Sequence, residues 1–201
     1  MSSVADWLVP TLREVFALLS HRPPRLFFLD SKLPPGEPEV ARRLATQYMD
    51  ALREYPDLRP RALVACPDAA LLAVMKATFA AAPDFMDFDG FALDHEELSD
   101  FALGHSIEAA APLRGSQGNR YLSIGAPYKP LSVGDFEDLL TLVARTLAET
   151  RRPGSPHYGK PLCVWTIDEE PQLRALAALG PEYILTDQPA LLKRVLDERY
   201  A

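Results

Sequence analysis

Apolar residues along the chain follow two alternating rhythms. Leu8, Leu12, Val15, Phe16 and Leu19 fall at helical spacing, and Pro23-Pro24 closes that segment. The run 25–32 (RLFFLDSK) is short and continuously apolar before it turns polar, which predicts a strand buried on both faces, as in a parallel sheet. Pro34, Pro35 and Pro38 mark a loop and a helix start, and 39–54 gathers Val40, Leu44, Tyr48 and Leu52 on one helical face. The alternation then repeats. Further strands are predicted at 61–66, 85–93, 120–125, 160–167 and 182–187. Helices are predicted from Pro67-Asp68 to Ala81, then over 135–150, 169–180 and 189–199, with Gly180 ending the third of these. The stretches 112–120 and 151–159 are loops by composition.

Six strands separated by helices predict a parallel α/β sheet. No GxGxxG or GxxxxGK[ST] loop is present, which weakens a nucleotide-binding version of that architecture. A TIM-type (β/α)8 barrel remains, and its chemistry would lie in the loops that follow the strands. The length of 201 residues fits a single domain, 1–201, at roughly 150 residues per domain. It falls short of the about 250 residues that a complete barrel takes.

Charge narrows the partners. A net charge of −7 lacks the basic footprint that a phosphate backbone requires, so nucleic acid is excluded as the expected partner. Cys66 and Cys163 each sit inside an apolar run, without a CxxC or Cys/His cluster, and are expected to be reduced core thiols. No apolar run reaches the about 18 residues of a membrane span, and the first residues show no leader pattern. The expectation is a cytoplasmic protein, unless a signal peptide lies in a missing N-terminal part.

The predicted strand ends supply the candidate chemistry. Asp30 and Lys32 are two apart on a strand and so face one side. A carboxylate there can hold a hard divalent cation, and the ammonium can meet a substrate anion; the alternative is an internal ion pair. Trp165 ends an apolar strand, either as a core side chain or as a pocket wall. Asp87 and Asp89 are either metal ligands or part of a solvated turn, and the composition DFDG favours the turn. Asp68 and Asp168 suit helix starts, and Asp187 with Pro189 suits a turn before the last helix. His21, His95, His105 and His157 are all expected at the surface, and Ser123 lacks the G-x-S-x-G setting of a nucleophile.

The C-terminal third, KPLCVWTIDEEPQLRALAALGPEYILTDQPALLKRVL (160–196), resembles the end of the glycerophosphodiester phosphodiesterase family. That family has V-x-W-T-V-N, a helix, and then G-V-D-G-I-I-T-D-x-P. Val164-Trp165-Thr166-Ile167-Asp168 matches the first motif, with aspartate in place of asparagine, and 180–189 matches the second. Upstream, VPTLREVFALL (9–19) resembles the family's P-T-L-x-E-V helix, and LFFLDSKLP (26–34) its L-x-I-E-I-K strand; RALVACPDAALL (61–72) resembles the unit that follows. The resemblance implies a (β/α)8 barrel, incomplete here with about six of its eight strands. It also implies hydrolysis of glycerophosphodiesters or lysophospholipids with Mg2+ or Ca2+. On it, Asp30 is a metal ligand, Lys32 a phosphate contact and Trp165 a pocket wall. The family's acid/base histidines belong to H-R-G and H-D motifs, accompanied by acidic ligands in P-E-N-T and E-x-D, and none of these occurs here. His21-Arg22 is followed by prolines and comes after the P-T-L helix, so it is not the missing histidine. The chain therefore reads as units three to eight of a truncated barrel. Such a remnant would bind a phosphorylated ligand without turnover or, through its open edge, a protein partner or a second copy of itself.

Overall fold

A computed structural model of the chain describes residues 10–95, 118–125 and 133–200. Helix α1 (Leu12–His21) starts in a reciprocal cap: Thr11 accepts from the Glu14 backbone, and the Glu14 carboxylate accepts from the Thr11 N–H. Strand β1 (Phe27–Asp30) follows, then α2 (Pro38–Glu54), a 3-10 turn at Pro56–Arg61, and β2 (Ala62–Cys66). Helix α3 (Ala69–Ala80) is capped by Asp68, which accepts from the Ala70 and Leu71 N–H groups as its sequence position predicts. Strand β3 (Phe91–His95) and β4 (Leu122–Gly125) come next. Helix α4 (Val133–Arg151), β5 (Leu162–Trp165), α5 (Glu170–Leu179), β6 (Tyr183–Ile184) and α6 (Pro189–Tyr200) complete the order.

The six strands form one parallel sheet in the order of the chain, curled into an incomplete barrel. Every residue of β2 and of β4 is buried, as strands covered on both faces must be. The convex face packs on the helices, with Phe16, Leu52, Met75 and Phe79 on one half and Leu139, Val143, Leu173 and Leu176 on the other. The concave face carries its own small core of Leu63, Ala65, Ala92 and Tyr121, flanked by Leu26, Phe28 and Tyr183. Among the described residues β1 and β6 end the sheet, each paired on one side only.

The strand expected at 85–93 is displaced. Residues 83–87 form turns, 88–90 are irregular, and the strand itself runs Phe91–His95. Phe85 and Phe88 made the stretch look strand-like, but both rings pack on Phe79 of α3, at centroid distances of 5.4 and 4.8 Å. Gly90 makes the transition: a Cβ there would lie 2.3 Å from the Ala62 carbonyl oxygen, and the Gly90 carbonyl accepts from the Val64 N–H. Asp87 ends these turns and Asp89 follows in the irregular stretch, both exposed and paired with Arg59 and Arg120, as the solvated-turn reading expects. No helix among the described residues is long and apolar enough to cross a membrane.

Candidate functional site

At the end of β1 the pleat sorts three consecutive residues. Ser31 continues the ladder, its N–H bonded to the Ala65 carbonyl at 2.8 Å, and its buried hydroxyl lies 3.3 Å from the Tyr48 hydroxyl of α2. With Ser31 turned to the helices, Asp30 and Lys32 fall on the concave side. Their charged groups are 3.5 Å apart and about half exposed, so this is an ion pair open to a ligand rather than a sealed internal one.

Trp165 at the end of β5 is fixed from three directions. Its indole N–H donates to the Ser123 hydroxyl at 2.8 Å, and that hydroxyl donates to the buried Asp94 carboxylate at 2.6 Å. Gly125, its register partner on β4, leaves room for the ring: a Cβ at that position would lie 2.1 Å from the indole. The Lys32 ammonium lies 5.4 Å from the ring centroid, within range of a cation–π attraction. Trp165 is thus a pocket wall held in place from the concave face of the sheet.

These residues border a cavity of about 650 Å3 at the C-terminal ends of the strands, where this architecture places its chemistry. One flank is β1, with Phe28, Asp30 and Lys32; the other is β6 and α6, with Ile184, Leu192 and Leu196. The space therefore opens between the first and last strands. Asp30, Lys32 and Trp165, all expected from the sequence, come together here.

Asp94 also lines the cavity and was not among the expected residues, because the strand carrying it was placed to end at 93. The signal lay in the residues Asp94-His95 directly after an apolar run. Asp168 departs from its expected helix-start role. Glu169 is the N-cap of α5, and Asp168 instead accepts from the Thr186 hydroxyl at 2.9 Å and the Asp187 N–H at 2.7 Å. It ties the loop after β5 to the loop after β6, where Thr186 and Asp187 form part of the cavity rim.

His157, expected at the surface, is buried at 4% exposure in the loop before β5. His21 is exposed at the end of α1, the His95 side chain and His105 lie outside the described residues, and no described histidine lines the cavity. Burial raises the pKa of Cys66 and pushes that of Cys163 well up, so both are protonated core thiols, as their apolar contexts imply.

Among the described residues no group of three or more His, Cys, Asp or Glu side chains is gathered for a metal. A hard divalent ion held by one or two carboxylates, with water and phosphate oxygens completing its shell, asks for no such group. Asp30, with Asp94 on the same wall, fits that pattern.

No family model matches the sequence, and no curated protein matches it significantly. Solved structures do match. A protein described as a glycerophosphoryl diester phosphodiesterase, from Silicibacter pomeroyi DSS-3, superimposes with a TM-score of 0.68 at 20% identity, over 96% of this chain and 57% of its own. A glycerophosphodiester phosphodiesterase from Parabacteroides distasonis ATCC 8503 gives 0.61 at 16% identity, over 96% and 66%. This chain has their fold and spans less than two thirds of the length of either.

Proposed function

We propose that this chain carries the phosphodiester-binding part of a phosphoric diester hydrolase acting on glycerophosphodiesters or related lysophospholipids. The observation that carries this reading is the convergence of Asp30, Lys32 and Trp165 on one cavity, at the strand ends of a fold shared with two proteins described as such phosphodiesterases. In this reading the Lys32 ammonium faces the phosphate and offsets its charge. The Trp165 ring orients the substrate against the concave face, and the Asp94 carboxylate holds that ring through Ser123. Asp30 would hold a divalent ion, Mg2+ or Ca2+, and such an ion when bound supplies charge neutralisation at the phosphate. The apolar flank of Leu192 and Leu196 suits the carbon skeleton of the ligand.

Hydrolysis also needs a proton donor and acceptor. The absence of a histidine from the described cavity lining favours a second reading, in which this chain binds the diester without turning it over. Calorimetric titration of glycerophosphocholine with Mg2+ or Ca2+, run beside an assay for choline and glycerol 3-phosphate release, separates the two. We expect metal-dependent binding that Asp30→Ala abolishes, with no release above background. Metal-dependent release lost in Asp30→Ala would establish the complete enzyme in this chain, and absence of any binding would overturn both readings.

A further inference from the structure

The cavity between the first and last strands is not neutral. Among the described residues, Asp30, Asp94, Asp187 and Asp197 border it against Lys32 and Lys193, so carboxylates outnumber ammonium groups two to one. Two of the four are answered locally: the Lys32 ammonium lies 3.5 Å from Asp30, and Lys193 pairs with Asp197 one turn further along α6. Asp94 accepts from the Ser123 hydroxyl. The Asp187 carboxylate meets no donor among the described residues.

Its place is nonetheless fixed. The Leu185 N–H bonds the Val164 carbonyl at 2.9 Å, and the Leu185 carbonyl accepts from the Ile167 N–H at 3.2 Å, so the chain leaving β6 runs beside Trp165 and Thr166. Two residues on, the Asp187 N–H donates at 2.7 Å to the Asp168 carboxylate, which also accepts from the Thr186 hydroxyl. This ties a carboxylate to the rim of the cavity whose wall Trp165 forms. The ring suits the same kind of ligand charge. Gly125 backs the indole, and the Lys32 ammonium 5.4 Å from its centroid shows that it takes a cation. A wall of this charge opposes a diester whose only charge is its phosphate, and attracts one that carries a cation at its far end.

We propose that the cavity selects diesters whose head-group alcohol is itself a cation, an ammonium of the choline or ethanolamine type, over neutral alcohols such as glycerol or inositol. The inference rests on the phosphodiester reading given above and adds the head group to it. With Lys32 drawn to the phosphate, the Trp165 ring and the Asp187 carboxylate receive the ammonium. A ring face and a carboxylate attract a cation without needing an N–H, so a quaternary nitrogen is accepted as well as a primary one.

Calorimetric titration with Mg2+ present compares glycerophosphocholine with its 3,3-dimethylbutyl analogue, in which carbon replaces the quaternary nitrogen. We expect the choline diester to bind about tenfold more tightly. Asp187→Asn, at an exposed position, should cut that ratio about threefold or more by weakening the choline diester alone. Trp165→Leu should also cut it, and Asp187→Asn decides should that variant not fold. Equal affinity of the two diesters for the natural chain, or a ratio that Asp187→Asn leaves unchanged, would overturn the inference and leave the phosphodiester reading standing. Binding of neither diester would overturn that reading and the inference with it.

Discussion

At the scale of single residues, the Trp165 ring depends on what its neighbours lack as much as on what they offer. Gly125→Ala places a methyl group 2.1 Å from the indole, so the ring or the strand has to move. Overpacking of this kind costs about 1–3 kcal/mol, and urea unfolding should show it, together with a shift of Trp165 emission measured in a Trp7→Phe background. Ser123→Ala removes the atom that joins the indole N–H to the Asp94 carboxylate and deprives both of a bond they have now. About 1–3 kcal/mol should again be lost, and ligand affinity at the cavity should fall with it; unchanged affinity would show that the wiring does not position the ring. Asp30, Lys32 and Trp165 were legible in the sequence because strand ends and a period of two point at them. Ser123 was visible only as a nucleophile without its motif. Its actual work, between Asp94 and Trp165, joins three strands and has no sequence spacing to betray it.

At the scale of elements, local grammar and long-range grammar separate cleanly at two aspartates. Asp68 stands directly before α3 by the ordinary rule of caps, with Pro67 outside the helix, and its carboxylate bonds N–H groups two and three residues ahead. Asp68→Ala should therefore lower stability by about 1 kcal/mol, with Asp68→Asn recovering most of it in chemical denaturation. Asp168 stands in the same kind of position before α5, yet its bonds run 18 and 19 residues ahead, to Thr186 and Asp187. Asp168→Ala should loosen the loop after β6 and weaken ligand binding at the cavity rim, leaving the helicity of α5 by circular dichroism unchanged. The misplaced third strand has a similar cause. Phe85 and Phe88 satisfy a strand pattern, but a cluster of rings on α3 claims them, and only the steric demand at Gly90 fixes where the strand can begin.

At the scale of the whole molecule, the parallel order was legible because continuous apolar runs alternating with amphipathic helices have few other ways to bury both faces. The internal polarity of the sheet ends was not, and His157 makes it measurable. Burial, reinforced by Lys160, lowers its pKa below the ordinary 6.5, against a smaller opposing pull from Glu149. Between the lowered value and 6.5 the unfolded chain binds the proton more readily than the folded one, so stability rises with pH across that window. Stability is therefore full above 6.5 and is lost as pH falls toward and through the lowered value. A second loss begins lower. Glu149 and Glu170, held below the usual 4.5 by Arg152 and Arg174, must give up those partners on protonation. Urea midpoints taken from pH 7.5 to 5 in phosphate-free buffer should fall for the natural chain and fall less for His157→Gln, with the two curves parallel again below the imidazole window. Identical slopes for the two proteins would mean that the imidazole charges freely in the folded state.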